Sequence, residues 1–397
     1  MRTASSFSTS SDTVAALQET YADLQDRLGG QPTWMAVHGT YQHPGEVVTA
    51  KLQALAPDVP FQGGTSCLGI MTEAGFHSDD GVSLGLFGIR DPQGVYAVGC
   101  AEHESHAPQT GKGAIQQALQ RAGRNAPPAL VWITCAPGNE EGILAGIEDG
   151  IAGPKRTPII GGSSADNTIE GNWYQMTNGR VLHDGVVVTA MYPSRPVRYA
   201  FDNSYTPTPH EGVVTKASGR TVLEINHRPA AEVYNEWTDG LIADYLQGGN
   251  ILSPSTLHPL GRKANWTRDS VLYQLSHPEA VLEDRALSLF TNAQRGEEIV
   301  LMESSPAQLV DSADKIISKA LVGKSAQDVQ IAGALIIFCA GCMLAVKDEM
   351  QAVARRFSEG LGGQPFLGLY TFGEQGCALL GENSHANLMM SIIVFEK

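Results

Sequence analysis

Apolar residues recur at helical spacing in some segments and in short runs or alternation in others, and the two kinds of segment take turns along the chain. Leu17, Tyr21, Leu24 and Leu28 lie three or four residues apart, which predicts a helix over Thr13–Leu28. The same reasoning predicts helices near Gly45–Leu55, Gly113–Gly123, the run EEGILAGIEDGI, Pro306–Leu321 and Met343–Gly360. Between them stand short runs rich in β-branched and apolar residues, such as TWMAVHGT, ALVWITC and GALIIFC, bounded by turn formers, and these predict strands.

The order of these segments repeats. From Thr33 the chain reads TWMAVHGT, a helix, PFQGGTSCLG and VSLGLF; from Ala129 it reads ALVWITCAPG, a helix, PIIGGSSADN and GRVLHDGVVVTAMY. From Gly333 it reads GALIIFCAGC, a helix, PFLGLYTFGEQG and HANLMMSIIVF. Pro60 and Pro158 are 98 residues apart, and each copy is preceded by a helix, so one supersecondary unit is used three times. Between Pro193 and Glu298 lies a segment of different character, with strands in VVTKASG and TVLEIN and a helix from Pro229 to Leu246.

The expected architecture is an α/β fold of two lobes, built from three α-β-α-β-β-β units with mixed sheets and an inserted β-rich segment. Residues 1–11, rich in Ser and Thr, read as a disordered tail. Residues 12–195 form a first lobe of two repeats, and residues 196–397 a second lobe of the insertion plus the third repeat. A ligand cleft between lobes is the expected place for a site.

Composition narrows the function. The chain has 397 residues, 42% of them hydrophobic, enough for large cores, while 17% charged residues and 43 glycines point to wide burial and to self-association as a homo-oligomer. A net charge of −15 opposes a phosphate backbone, and the basic groups Lys155-Arg156, Arg121 and Arg124 read as a solvated loop and a helix face. No nucleic-acid partner is expected. The amino terminus lacks the apolar centre of an export signal, and no window approaches the ~20 apolar residues of a membrane span. Six cysteines without a regular framework fit a reducing, cytoplasmic setting.

Candidate chemistry gathers in two loops of each copy, at strand ends where α/β sheets place ligands. The first loops hold His38-Gly39, Cys135-Ala136 and Cys339-Ala340; the second hold Gly63-Gly64-Thr65-Ser66, Gly161-Gly162-Ser163-Ser164 and Gly368-Leu369-Tyr370-Thr371. Paired glycines bring backbone amides close to a bound group and the hydroxyls add donors, although the same residues also serve tight packing and turns. Cys339-Ala340-Gly341-Cys342 is a CxxC between a strand and a helix, a placement suited to a reactive thiol. Glu374 is a candidate general base or amine acceptor, and His183 and His385, at matching positions before the last strands, are candidate haem ligands.

The segments PIIGGSSADN with NGRVLHDGVVV, TVLEINHRPAAEVY, LIIFCAGC and PFLGLYTFGEQG resemble the amino- and carboxy-terminal halves of the FIST family, from about Trp34 onward. The resemblance implies a sensory module for small ligands such as amino acids, a type often fused in bacteria to kinase, cyclase or chemoreceptor parts. It also implies Gly161, Gly162, Cys339, Tyr370, Gly373, Glu374 and Asn387 as ligand-site residues, with Cys342 standing where the family pattern often has arginine. Three readings stay open: a cytoplasmic sensor of an amino-acid-like metabolite, a haem-binding nitric-oxide sensor regulating a histidine kinase, and a hydrolase, lyase or thiol-dependent enzyme using Cys339 or Glu374.

Overall fold

The computed structural model describes residues 1–153, 156–266, 271–377 and 382–397. Lys155 of the basic loop therefore lies outside the described residues.

The amphipathic segments fold as their spacing dictates. The helix Thr13–Leu28 is opened by Asp12, whose carboxylate accepts from the amides of Val14 and Ala15, and closed by Gly29 in the left-handed conformation. Its Leu17, Tyr21, Leu24 and Leu28 are all buried. Helices follow at Gly45–Leu55, Ala107–Ala122, Glu140–Gly150 and Pro306–Ala320. The helix expected over Met343–Gly360 is instead two, Ala340–Ala345 and Met350–Gly360, joined by a 3-10 turn. The one expected from Pro229 to Leu246 stops at Trp237 and resumes as a short turn at Ala243–Tyr245.

Among the described residues, three six-stranded sheets share one strand order. In the first, Arg2–Ser8, Leu84–Arg90, Trp34–Gly39 and Phe61–Thr65 lie side by side, and the hairpin Gln175–Thr177/Arg180–Leu182 completes the row. In the second, Val95–Glu102, Gly185–Tyr192, Leu130–Cys135 and Ile159–Ser163 are completed by Glu374–Cys377/Asn383–Ala386. In the third, Val197–Asp202, Met390–Glu396, Ile331–Cys339 and Phe366–Thr371 are completed by Ile70–Thr72/Gly75–His77. The two middle strands of each sheet are parallel, as a strand-helix-strand crossover requires, and their neighbours are antiparallel.

Each unit thus gives its hairpin to another unit's sheet, in a closed cycle. This corrects the expected lobes: strands cross the boundary near residue 195 in both directions, so the first two repeats do not form a body apart from the third. The tail is also corrected. Residues Arg2–Ser8 pair in seven successive registers with Leu84–Arg90, and Ala4, Ser5 and Ser6 are buried there.

The inner faces of the three sheets meet in one core holding Trp34, Phe87, Trp132, Val187, Leu335, Ile393 and Phe395. Two of the indole and amide groups there are paired, Trp34 Nε1 donating to Thr189 Oγ1 and Gln62 bridging Thr189 and Thr134, whereas Trp132 Nε1 is buried without a hydrogen-bond partner among the described residues. Helices cover the outer faces. The insertion enters between Val197–Asp202 and Pro306–Ala320 and builds a sheet and core of its own.

Candidate functional site

Register fixes which loop residues correspond. Gly39 stands opposite Thr65, Cys135 opposite Ser163, and Cys339 opposite Thr371. Gly39, not His38, therefore occupies the cysteine position of the first unit, and Thr371 matches Thr65 and Ser163 rather than Ser66 and Ser164. His38 is buried one residue back in its strand, where burial lowers its pKa to about 3.

The three glycine-and-hydroxyl turns do converge, but they close on one another. Backbone bonds run from Ala165 N to Thr65 O (3.0 Å), Phe372 N to Ser163 O (3.2 Å) and Cys67 N to Tyr370 O (3.0 Å). The glycines are there for proximity. A methyl group on Gly63 or Gly161 would meet Val37 O at 2.0 Å or Ile133 O at 1.9 Å; one on Gly64 would meet Ser164 Oγ at 2.7 Å, and one on Gly162 would meet Thr371 Cγ2 at 2.4 Å. One on Gly373 would strike the His385 ring. The hydroxyls are committed too: Ser66 Oγ donates to Gly69 O and accepts from Tyr370 N, Ser164 Oγ donates to Tyr174 O, and Thr65 Oγ1 accepts from Tyr174 N. Tyr370 is buried between Phe76 and Phe338.

Beside this junction, between the second and third strand ends and the insertion, lies a cavity of about 390 Å³. Of the residues singled out in the sequence, Cys339, Thr371 and Asn387 line it; Gly162 and Glu374 do not. Its walls are mostly apolar and aromatic, with Trp173 and Phe372 in edge-to-face contact at 5.9 Å and Phe290 on the insertion side. Ile169 reaches the rim from a turn wrapped around the buried Asp166 carboxylate, which accepts from the amides of Thr168, Ile169, Glu170 and Asn172. That turn holds the β-branched Ile169 at φ 60, a conformation kept only because the carboxylate organises it.

Charge sits at one end. Glu140, at the start of its helix, accepts from Ser163 Oγ (2.9 Å), Gly138 N (3.0 Å) and Arg220 Nη2 (2.7 Å). Arg220 comes from the insertion, at the tip of the turn between Thr206–Ser218 and Thr221–Ile225, and the same Nη2 also donates to Glu141 at 2.9 Å. Burial opposes the guanidinium charge, but the two carboxylates outweigh it and raise the Arg220 pKa. Burial pushes the Glu141 carboxyl up, yet His385, Arg220 and the Asn292 amide together hold it below its ordinary value.

The other end is neutral. Glu374 accepts from Thr371 Oγ1 (2.8 Å) and Met389 N (3.1 Å), and burial, followed by Cys339, keeps its carboxyl protonated well above the ordinary range. Burial likewise holds the Cys339 thiol far above its usual pKa, with the Cys342 side chain adding to it. Neither is the ready base or thiolate that an enzyme reading needs. Cys135 is equally buried, 3.6 Å from Ser163 Oγ, and is also pushed up by burial and by Glu140. Asn387 Oδ1 faces the amide of His277, whose Nε2 lies 2.9 Å from Leu252 O and so carries the proton; burial lowers that ring to about 4 and keeps it neutral.

The haem candidates do not fit. His183 is on the surface, its side chain 72% exposed and 4.0 Å from Glu46. His385 is buried with Gln375 on Nδ1 and the Phe290 carbonyl and Glu140 near Nε2, and it does not line the cavity.

Residues 33–228 match the FIST N domain and residues 230–377 the FIST C domain. The chain belongs to the FIST family. FIST domains are associated with signal transduction and small-ligand sensing. An uncharacterized protein of Methanocaldococcus jannaschii is 33% identical over 79 residues, which cover 20% of this chain and 15% of that protein. A crystal structure of cyanuic acid hydrolase from A. caulinodans aligns over the whole of both chains at 11% identity with a TM-score of 0.31. Among the described residues of this FIST protein, no helix is long and apolar enough to cross a membrane, and no group of three His, Cys, Asp or Glu side chains could hold a metal ion.

Sequence reasoning did not reach Arg220, Trp173, His277 or Phe290. Arg220 follows Gly219 in the tight turn of TKASGRTVLEI, so a charged residue at a hairpin tip was a readable signal. The other three sit in loops or at a strand end, where nothing local tells what they will face.

Proposed function

We propose that this FIST protein is a small-ligand sensor whose ligand, an amino-acid-like metabolite with an apolar or aromatic body, binds in the cavity between the strand ends and the insertion. The observation that carries this reading is the ion pair at the charged end. Arg220 spends one nitrogen on both carboxylates, leaving Nη1 and Nε without partners among the described residues and able to donate to a ligand carboxylate. Two carboxylates against one guanidinium leave negative charge for a ligand ammonium. The rings of Trp173, Phe372 and Phe290 supply the apolar wall.

Signalling follows from where the groups come from. Arg220 and the amide of Asn292 tie the insertion to the first turn of Glu140–Gly150. A ligand carboxylate that draws Arg220 away from Glu140 favours a different seating of the insertion, and differential affinity for the two seatings shifts their populations. The reader of that shift is a separate signalling protein, for which a histidine kinase is the class the family suggests.

Thermal-shift measurements with L-phenylalanine, L-leucine and L-tryptophan test this, with phenethylamine and 3-phenylpropionate as the two half-charged analogues. A ligand at ~100 times its Kd adds ~2.7 kcal/mol. The zwitterions are expected to shift the wild type, and Gly341→Val to abolish the shift, because a side chain at 341 would enter the cavity 3.5 Å from His277 Cε1 and 3.7 Å from Cys339 Sγ. No shift across the panel, or one that survives Gly341→Val, overturns the reading.

A further inference from the structure

The two thiols of the CxxC motif make none of the charged contacts proposed above for the ligand, and their placement has chemistry of its own. Cys339 is the residue that opens the helix Ala340–Ala345, and Cys342 is the third residue within it. Side chains at those two positions lie side by side over the first turn, as they do in a capping box. The Cys342 side chain is accordingly near enough to act on the Cys339 thiol. Cys339, with Ala340 and Gly341, forms part of the cavity wall, whereas Cys342 points to the opposite side, 3.6 Å from the Tyr205 hydroxyl and against a void of about 10 Å³. One sulfur is thus reachable from the cavity and its neighbour is shielded behind it. The matching positions of the other units carry no such pair: three residues after Cys135 stands Gly138, and the first unit has Gly39 in place of the first cysteine.

We propose that Cys339 and Cys342 are a dithiol–disulfide pair, oxidised through the ligand cavity by a low-molecular-weight disulfide. In the forward step Cys339 loses its proton and attacks one sulfur of the small disulfide, whose S–S bond breaks and releases one thiol. Cys342 then loses its proton and attacks Cys339 Sγ, expelling the second thiol. Two S–H groups become one S–S bond, and the two electrons and two protons reside in the two released small thiols. The inference does not depend on which ligand occupies the cavity.

Two consequences are built in. A thiol held in its protonated form attacks slowly, so exchange is slow; and a reduced state without a stabilised thiolate favours the disulfide at equilibrium. Oxidation also removes the S–H donors of Cys339 beside Glu374 and of Cys342 beside Tyr205, so the hydrogen bonding behind the cavity wall changes with redox state.

The test is a redox titration of the full chain in mixtures of oxidised and reduced glutathione, followed by an acid quench, N-ethylmaleimide labelling and peptide mapping. Cys339 and Cys342 are expected to lose label together in one two-electron transition, in a peptide lighter by two hydrogens, while Cys67, Cys100, Cys135 and Cys377 keep at least tenfold more label. In Cys342→Ser the transition disappears and Cys339 is recovered labelled or as a mixed disulfide with glutathione. Retention of both labels in fully oxidised glutathione over a day, or a bond from Cys339 to Cys67 instead, overturns the proposal. The wild-type mapping decides the matter even where a variant folds poorly.

Discussion

In the second sheet Cys135 stands opposite Ser163, whose hydroxyl donates to Glu140; in the third, Cys339 stands opposite Thr371, whose hydroxyl donates to Glu374. The two corners flank one cavity and share a register, a thiol, a hydroxyl and a carboxylate. They differ in what packs on them. Arg220 reaches the first from the insertion and donates to both Glu140 and Glu141, while Glu374 faces Cys339, Met389 and Thr371 with no cation beside it among the described residues, and burial pushes its carboxyl well above the usual range. Backbone geometry is common to the units; charge state is set by the neighbour each unit happens to receive. The Glu140 corner can therefore recognise charge, and the Glu374 corner serves as a neutral buttress.

The largest effect that would break this contrast comes from the arginine. Arg220→Met leaves Glu140, whose side chain is 2% exposed, buried without its counter-ion, and is expected to cost about 3 kcal/mol in urea unfolding at neutral pH. Adding Glu140→Gln and Glu141→Gln should restore most of it. A loss that the added substitutions do not repair would show that Arg220 acts by packing alone.

Next comes the seam where the two corners touch. Gly162→Ala places a methyl 2.4 Å from Thr371 Cγ2, 2.8 Å from its Cβ and 2.9 Å from its Oγ1 and is expected to cost about 2 kcal/mol, with Thr371→Ser, which removes the closest of these atoms, relieving part of it. Additive losses in the double-mutant cycle would contradict the contact.

The pH responses should have opposite signs. Glu374 has its folded pKa raised, so its contribution is complete below the unfolded value near 4.5 and is lost as pH rises toward the folded one. Glu141 has its folded pKa lowered, so its contribution is present above that same value and is lost as pH falls through the folded pKa. Each limits the slope of stability to about 1.4 kcal/mol per pH unit. Glu374→Gln should flatten the loss on the alkaline side only, and Glu141→Gln the loss on the acid side only, as read from unfolding midpoints between pH 3 and 9.

The smallest effect sharpens the same point. At pH 4, below the unfolded value, Glu374→Gln is expected to change stability by less than about 1 kcal/mol, because an amide is nearly isosteric with a protonated carboxyl and the Thr371 hydroxyl can rotate to accept from it. A cost several times larger would mean that the carboxyl is charged.

How far the sequence anticipates this molecule differs from element to element. Thr13–Leu28 and Gly45–Leu55 were legible to the residue, since apolar spacing and flanking Asp, Pro and Gly are local properties. Cys339 and Thr371 were legible as strand-end residues, but the correspondence of His38 with the cysteines was one position out, because register belongs to hydrogen bonds between strands and not to either strand. The hairpins were visible as turns and alternation; their destinations were not, since Gln175–Thr177 carries nothing that names Phe61–Thr65 as its partner. For the same reason Gly63, Gly162 and Ser164, expected around a pocket, pack instead against Val37 O, the Thr371 side chain and Tyr174 O, and Arg220 reaches the site from outside the repeat.

The cyclic loan of hairpins has a bearing on how the chain is made. As the polypeptide leaves the ribosome, Ile70–Thr72 must wait for Phe366–Thr371, emitted about three hundred residues later, before it finds its place. No unit can be finished while another is missing, so a truncated or prematurely released product is left with open sheet edges rather than one folded third. Birth of this protein is all-or-nothing, and its nascent forms are the ones most in need of chaperones.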